Sequence, residues 1–319
     1  MSIHHHESEE CCMVLGRTVA DVHLAQIGPD LWSLYTLHGG GNSRFAPQIP
    51  NRLLVFRVRD AGGNPSLIIV NGVWPDEEND QPFIALRALS VELGAPIRFI
   101  LNPGPEHHLS LDKYAVAFPD ARVCVAAGRI ERENPALCAL DNVETMASGD
   151  ALPELSKQGF HVHVWDGFME GKILSQSQFR FGAKRGTAEP TVFWHESSGA
   201  FLNGGHGWFY WAEGDKQPWL IRRLMRLKQG QVTWSPLHYS MHDRGRCIES
   251  ARRILDWRFD RLLDLHAGQD KRIDTGAHDV AEGLLRPMIE ENWDDLPFGV
   301  EALQIPEGKV TGEGWKSYR

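Results

Sequence analysis

The sequence predicts an α/β fold of the α+β sandwich type, in which two β-sheets pack face to face and helices cover the outside. Three observations predict it: the strands fall into two groups, helical patterns follow each group, and 42% of the 319 residues are hydrophobic. A sheet must bury its apolar face against another layer. The order strands, helices, strands, helices therefore favours two sheets that share one core.

The first group of strands is marked by aliphatic runs that turn signals separate. These runs predict strands at residues 31–35, 53–58, 66–70, 97–101 and 122–126. A helix is predicted at 80–93, where the apolar pattern stops before Gly94, and another at 110–118, where Ser110 is a suitable N-cap. The chain thus alternates strand and helix twice in this half.

The second group of strands follows a polar stretch at 127–159, which predicts a long surface excursion. Strands are predicted beyond it at 160–165, 191–194, 200–202 and 262–265, and helices at 219–227, 247–257 and 277–292. We therefore expect one domain at 28–293, an N-terminal tail or extension at 1–27 and a C-terminal tail at 294–319.

Composition and charge exclude several classes of function. The net charge is −9 without a basic run, which argues against a nucleic-acid surface. Apolar runs are too short to cross a membrane, and the polar, acidic start is unlike a secretory signal. Five cysteines without CxxC spacing indicate reduced thiols. We expect a cytoplasmic protein whose partners are a small-molecule substrate and, at most, a second copy of the chain in a homodimer.

Histidines follow three of the predicted strands. His107 and His108 come after the strand at 97–101, and Pro103, Gly104 and Pro105 provide the sharp turn that lets adjacent histidines face one cation. His206 follows the strand at 200–202, and His266 follows the strand at 262–265. These positions predict a metal site at strand ends. The alternative for each histidine alone is a solvent-facing ring or a hydrogen bond to the backbone.

The segments around these histidines resemble the metallo-β-lactamase superfamily, whose four-layer αββα fold carries metals at one sheet edge. The superfamily motif His-x-His-x-Asp-His is replaced here by Pro-x-Pro-x-His-His at 103–108, as in a divergent branch. Prolines stand where two ligands of the first metal belong, and the segment at 164–167 offers no third ligand. The resemblance therefore implies that the first metal is absent and that one metal remains.

The same resemblance implies a ligand set for that single metal. His107 replaces the motif aspartate, His108 matches the motif histidine, His206 replaces the bridging aspartate, and His266 matches the terminal histidine. Imidazoles bind a divalent transition metal, with zinc favoured and iron as the alternative. Such an ion lowers the pKa of a bound water, so a metal-bound hydroxide could act at neutral pH.

These ligands leave three hypotheses open. The first is a single-metal hydrolase for a small, apolar or aromatic substrate. The second is a mononuclear non-haem iron oxidase or dioxygenase, since an all-histidine site also supports dioxygen chemistry. The third is a non-catalytic ligand-binding pseudoenzyme, which the missing first-site histidines motivate. Metal identity and oxygen consumption distinguish them.

Further residues around the histidines are candidates for catalysis and substrate binding. Glu106 and Asp112 are positioned to act as a base or to orient an imidazole N–H, although an acid in the first turn of a helix is also stabilised by the helix dipole. Trp194, Trp208 and Trp211 are candidates for pocket walls, and core packing is the alternative for each.

Overall fold

The computed structural model describes residues 24–39, 48–73, 81–104, 107–108, 110–126, 130, 134–170, 190–204, 208–212, 228–234, 239–241, 243–268 and 271–292. The predicted helix at 219–227 and the predicted C-terminal tail lie outside these residues. No helix within them is long and apolar enough to cross a membrane.

The first sheet contains seven strands in sequence order. They are β1 (Leu24–Gly28), β2 (Leu31–Gly39), β3 (Gln48–Arg59), β4 (Pro65–Val70), β5 (Ile97–Leu101), β6 (Arg122–Ala126) and β7 (Val143–Met146). The first four form an antiparallel meander, and β4 to β7 are parallel. Helices α1 (Gln81–Leu93) and α2 (Leu111–Ala117) lie in the first two of the three crossovers that this parallel pairing requires.

The second sheet contains six strands, in the spatial order β17-β16-β12-β11-β9-β8. Their bounds are β8 (Gly149–Ala151), β9 (Phe160–Val164), β11 (Thr191–His195), β12 (Ala200–Asn203), β16 (Arg261–Leu263) and β17 (Arg272–Ile273). Two small sheets pair β10 (Phe168–Glu170) with β15 (Tyr239–Met241), and β13 (Trp208–Tyr210) with β14 (Val232–Trp234). The remaining helices are α3 (Pro135–Cys138), α4 (Pro153–Ser156), α5 (Arg244–Leu255) and α6 (Ala277–Ile289).

Three apolar clusters show the order of the layers. Side chains alternate between the two faces of β3, so Leu54, Phe56 and Val58 lie on the same face. They pack in a core that also contains residues of the second sheet, including Phe193 and Leu202. The opposite face of the first sheet packs under α1 and α2, through Leu53, Val55, Leu86 and Tyr114 among others. The outer face of the second sheet packs under α5 and α6. The layers are therefore helix, sheet, sheet, helix, which confirms the predicted sandwich.

Residues 127–159 differ from the prediction of an irregular excursion. They contain β7, which pairs with β6 at one edge of the first sheet, and β8, which pairs with β9 in the second. Both strands are short and contain few aliphatic residues, so their pairing partners determine their conformation. The first strand, β1, begins at Leu24, upstream of the domain boundary expected at residue 28.

Candidate functional site

The structure brings His107 and His266 together from different sheets. His107 lies in the turn after β5 of the first sheet, and His266 lies in the turn after β16 of the second. The centroids of their rings are 5.3 Å apart, and the ring planes are inclined by 36°. Both side chains are buried, with 9% exposure for His107 and 8% for His266. Two of the four predicted metal ligands therefore form a buried pair.

Polar residues follow neighbouring strands at this edge of both sheets. Asn71 and Asn102 follow the parallel strands β4 and β5, and Asn203 and Asp264 lie at the ends of the parallel strands β12 and β16. All four are buried. The edges are joined by backbone hydrogen bonds from Thr191 N to Pro103 O (3.1 Å) and from Arg52 N to Leu265 O (2.9 Å). The pattern of an Asn or Asp directly after a buried strand could have identified this edge from sequence.

Asn71 determines which nitrogen of His107 carries the proton. Its Nδ2 donates to Asn51 Oδ1 and to Arg52 O, both at 2.7 Å, so its Oδ1 must face the other way. That oxygen accepts from Gly72 N at 2.8 Å and lies 3.2 Å from His107 Nδ1. A carbonyl oxygen only accepts hydrogen bonds, so Nδ1 of His107 is the protonated nitrogen. The lone pair of a neutral His107 ring is therefore on Nε2, so Nε2 is the nitrogen through which this tautomer could bind a metal.

The turn that carries His266 is held by the Asp264 carboxylate. Oδ1 of Asp264 accepts from the backbone N of His266 at 2.7 Å, and Oδ2 accepts from the backbone N of Tyr210. Burial raises the pKa of Asp264, while the nearby His266 and these two backbone N–H groups oppose the rise. The carboxylate thus connects the end of β16 to β13.

Arg52 holds the same turn from the first sheet. Its side chain is fully buried, and Nε donates to Asp264 O at 2.8 Å. Nη1 donates to Gly268 O at 3.0 Å and to Lys271 O at 2.9 Å, and Nη2 also donates to Asp264 O. A guanidinium presents several donors in a fixed plane, so it can satisfy carbonyls from both ends of one loop. Sequence analysis did not identify this residue.

The other predicted metal ligands are not all in place around this pair. His108 is buried, with 4% exposure, but no choice of ring nitrogens puts His107, His108 and His266 all within 4.8 Å of one another. Nitrogens that share one zinc lie within about 4 Å of each other, since each is about 2 Å from the ion. Simultaneous ligation by all three rings would therefore require a side-chain shift. His206 lies outside the described residues.

A group of potential ligands that sequence analysis missed lies on α6. Ligand atoms of His278, Asp279 and Glu282 lie within 4.8 Å of one another. However, Nε2 of His278 is 2.9 Å from Leu255 O, and Glu282 forms an ion pair with Arg286. These contacts account for the group as a structural feature of the helix.

Asp112 lies in the first turn of α2 and is half-buried. Its Oδ1 is buried, and within the described part of the chain this oxygen has no hydrogen-bond partner. Glu106, the second predicted carboxylate, lies outside the described residues.

The three tryptophans predicted for the pocket occupy different places. Trp194 forms a cluster with His161 (4.7 Å) and Trp257 (6.0 Å), whose rings are also 6.0 Å from each other. Trp208 packs edge-on against Trp234 (5.4 Å). These contacts lie in the layer between the second sheet and α5 and α6. Trp211 is half-buried and follows Tyr210, whose backbone N–H contacts Asp264. Of the three tryptophans, only Trp211 directly follows β13, the strand that Asp264 connects to the turn that carries His266.

Three other histidines make hydrogen bonds typical of structural residues. His195 lies 2.9 Å from Ser198 Oγ and 3.2 Å from Arg57 O, as expected for a ring that bonds across its hairpin. His161 contacts Glu196 at 2.7 Å. His163 lies between Asp150 and Ser250, at 2.9 Å and 3.0 Å.

Comparison with known proteins gives only a structural likeness. No protein-family model and no curated protein matches the sequence. Among solved structures, the metallo-β-lactamase from Pontibacter korlensis matches 84% of this chain and 99% of its own, at 10% identity and a TM-score of 0.48. The metallo-β-lactamase from Hirschia baltica matches 84% of this chain and 96% of its own, at 11% identity and a TM-score of 0.47. The metallo-β-lactamase FIM-1 from Pseudomonas aeruginosa, solved in a mono-zinc form, matches 83% of this chain and 95% of its own, at 12% identity and a TM-score of 0.48.

These values are too low to assign a metal, a substrate or a ligand by similarity. The order of layers and the positions of the histidines stand on the contacts described above. In architecture, the chain resembles the metallo-β-lactamases.

Proposed function

We propose that this protein is a single-metal hydrolase that binds one divalent transition ion, zinc in preference to iron, at His107 and His266. The observation that carries the proposal is the buried pair of imidazoles, 5.3 Å apart, in which Asn71 keeps the proton of His107 on Nδ1. A histidine that binds a transition metal usually donates its other ring N–H to an oxygen that orients it, and Asn71 Oδ1 is in that position for His107. His108 and His206 are the proposed additional ligands.

The surrounding residues have distinct roles in this proposal. A bound divalent ion supplies Lewis acidity and lowers the pKa of a coordinated water. Asp112, with a buried carboxylate oxygen, acts as the base or orients the attacking water. Trp211 contributes an apolar wall, so the substrate class is small and apolar or aromatic. The free cysteines Cys124, Cys138 and Cys247 fit a reducing, cytoplasmic setting.

Elemental analysis of purified protein tests the proposal. Wild type should contain about one transition-metal ion per chain, and His107→Ala and His266→Ala should each lose most of it, because each removes a proposed ligand. His161→Ala is the matched control, since His161 contacts Glu196 and stacks on Trp194. Its metal content should equal that of wild type.

Two results would contradict the proposal. Full metal content in both ligand variants would place the metal elsewhere, and wild type without any transition metal would favour a ligand-binding scaffold. Zinc with turnover that does not consume oxygen supports the hydrolase, whereas iron with oxygen consumption supports an oxidase or dioxygenase.

A further inference from the structure

Asn51 and Arg52 are consecutive residues of β3. Hydrogen bonds connect Asn51 to His107 through Asn71, and Arg52 to the turn that carries His266. Side chains of consecutive strand residues point to opposite faces of a sheet. One strand segment can therefore reach the turn after β5 on one side and the turn after β16 on the other. β3 lies between β2 and β4, but at Asn51 and Arg52 it pairs with β2 alone, because its pairing with β4 begins at Leu54.

The Asn51 side chain acts on His107 through Asn71. Oδ1 of Asn51 accepts from Nδ2 of Asn71 at 2.7 Å, and Oδ1 of Asn71 then faces Nδ1 of His107 at 3.2 Å. If the Asn71 amide rotated by 180°, its NH₂ group would face His107 and would require the opposite tautomer. Asn51 therefore helps to keep the lone pair of His107 on Nε2.

The Arg52 side chain acts on His266 through the backbone of the turn. Its guanidinium donates to the carbonyls of Asp264, Gly268 and Lys271, which lie on both sides of His266 along the chain. The backbone N of Arg52 also donates to Leu265 O at 2.9 Å. These bonds connect the turn to the sheet that carries His107, and so they set the separation of the two rings.

We propose that Asn51 and Arg52 are positioning residues that hold His107 in one tautomer and His266 at a fixed distance from it. This inference rests on the proposed function, in which the two histidines bind metal. Both residues act through other groups and need no contact with the ion. Loss of partners that orient metal ligands typically weakens metal affinity by about ten- to a hundredfold.

The test uses the full-length protein with Zn²⁺ and Co²⁺ as probes. Asn51→Ala removes one of the two acceptors of Asn71 Nδ2, the other being Arg52 O. Arg52→Lys keeps the charge but removes the planar set of donors. Arg57→Lys is the matched control, because Arg57 lies in the same strand and its side chain pairs with Asp30. The measurements are the zinc Kd by competition with a chelator and the absorption spectrum of the Co²⁺ form. Ring ¹⁵N shifts of the metal-free protein report the tautomer of His107.

We expect Asn51→Ala to weaken zinc binding by up to about tenfold. It should add a minor second tautomer of His107 in the metal-free protein, because Arg52 O and Gly72 N still favour the present orientation of the Asn71 amide. Arg52→Lys should weaken zinc binding by up to about a hundredfold and change the Co²⁺ spectrum, while the His107 tautomer stays as in wild type. Arg57→Lys should match wild type in all three measurements, even if it lowers the melting temperature.

The outcomes separate this inference from the proposed function. If wild type binds neither Zn²⁺ nor Co²⁺, the proposed function fails and this inference fails with it. If wild type binds zinc, and both variants keep its Kd and spectrum, only the positioning role is overturned. If Arg52→Lys does not fold, Asn51→Ala still decides, because an unchanged Kd and an unchanged His107 tautomer overturn the proposal.

Discussion

His107 and His266 lie ring to ring with 5.3 Å between their centroids, although each follows a strand of a different sheet. The pair therefore forms only when the two sheets have packed against each other. Anything that binds both rings must stabilise this packing, because it binds the folded chain in preference to the unfolded one.

Zinc should therefore raise the stability of the protein. At a free zinc concentration about a hundred times the Kd, the free energy of unfolding should increase by about 2.7 kcal/mol. Urea unfolding with zinc and with a chelator measures the increment. His107→Ala and His266→Ala should abolish it, whereas His161→Ala should retain it. An equal increment in all four proteins would show that zinc acts at another site.

Acid should destabilise the protein through His195. Burial lowers the pKa of His195 to about 4, despite the opposing charge of Asp30. In the unfolded chain the pKa of this histidine is about 6.5. Between pH 4 and pH 6.5, protons therefore bind preferentially to the unfolded state. The contribution of His195 to stability is thus complete above pH 6.5 and falls by up to about 3 kcal/mol as the pH is lowered to 4.

The variant His195→Gln checks this effect, because glutamine keeps a donor and an acceptor and does not titrate. Its free energy of unfolding should depend less on pH between 6.5 and 4 than that of wild type. Parallel pH profiles for the two proteins would show that another group causes the acid sensitivity.

Ser250 should matter more for stability than an exposed serine. Its buried Oγ accepts from Asp166 N at 3.1 Å and lies 3.0 Å from His163 Nε2, so Ser250→Ala removes a partner from both groups. We expect a loss of about 1–3 kcal/mol in urea unfolding. In the control Ser197→Ala, water can replace the exposed bond to Asp30, so the loss should be at most about 1 kcal/mol. Equal losses would contradict the prediction.

Gly204 should not tolerate a side chain. A Cβ at this position would lie 1.8 Å from the carbonyl oxygen of Thr191 and 2.4 Å from that of Pro103. Both atoms are backbone, so Gly204→Ala must displace the end of β12 from β11 and from the Pro103 turn of the first sheet, at a cost of about 3 kcal/mol or more. Gly283→Ala is the control, because a Cβ there contacts nothing within 4 Å and alanine favours the helix by about 0.5–1 kcal/mol. Similar melting temperatures for the two variants would contradict this interpretation.

The sequence was most informative where strands are continuous aliphatic runs between turn residues. The strands predicted at 97–101 and 122–126 have those bounds in the structure, as β5 and β6. In contrast, β7 and β8 were missed, because the sequences VETM and GDA carry little local preference for a strand. Their conformation depends on partners elsewhere in the chain.

The candidate site was predictable where a histidine directly follows a strand, as at His107 and His266. Asn71 was missed because Asn before Gly is an ordinary turn signal. Arg52 was missed because a charged residue within a strand normally indicates an exposed face, whereas here its partners are carbonyls of residues 264–271. No local pattern encodes a contact over that distance in sequence.

The tryptophan cluster of the outer layer gives the protein an internal optical reporter. Trp165, Trp194, Trp208, Trp234 and Trp257 all pack between the second sheet and its helices, whereas Trp32 packs under the helices of the first sheet. Fluorescence of the described indoles is therefore weighted toward one half of the sandwich. A rearrangement of that half should change the emission even when the backbone signal in circular dichroism stays constant.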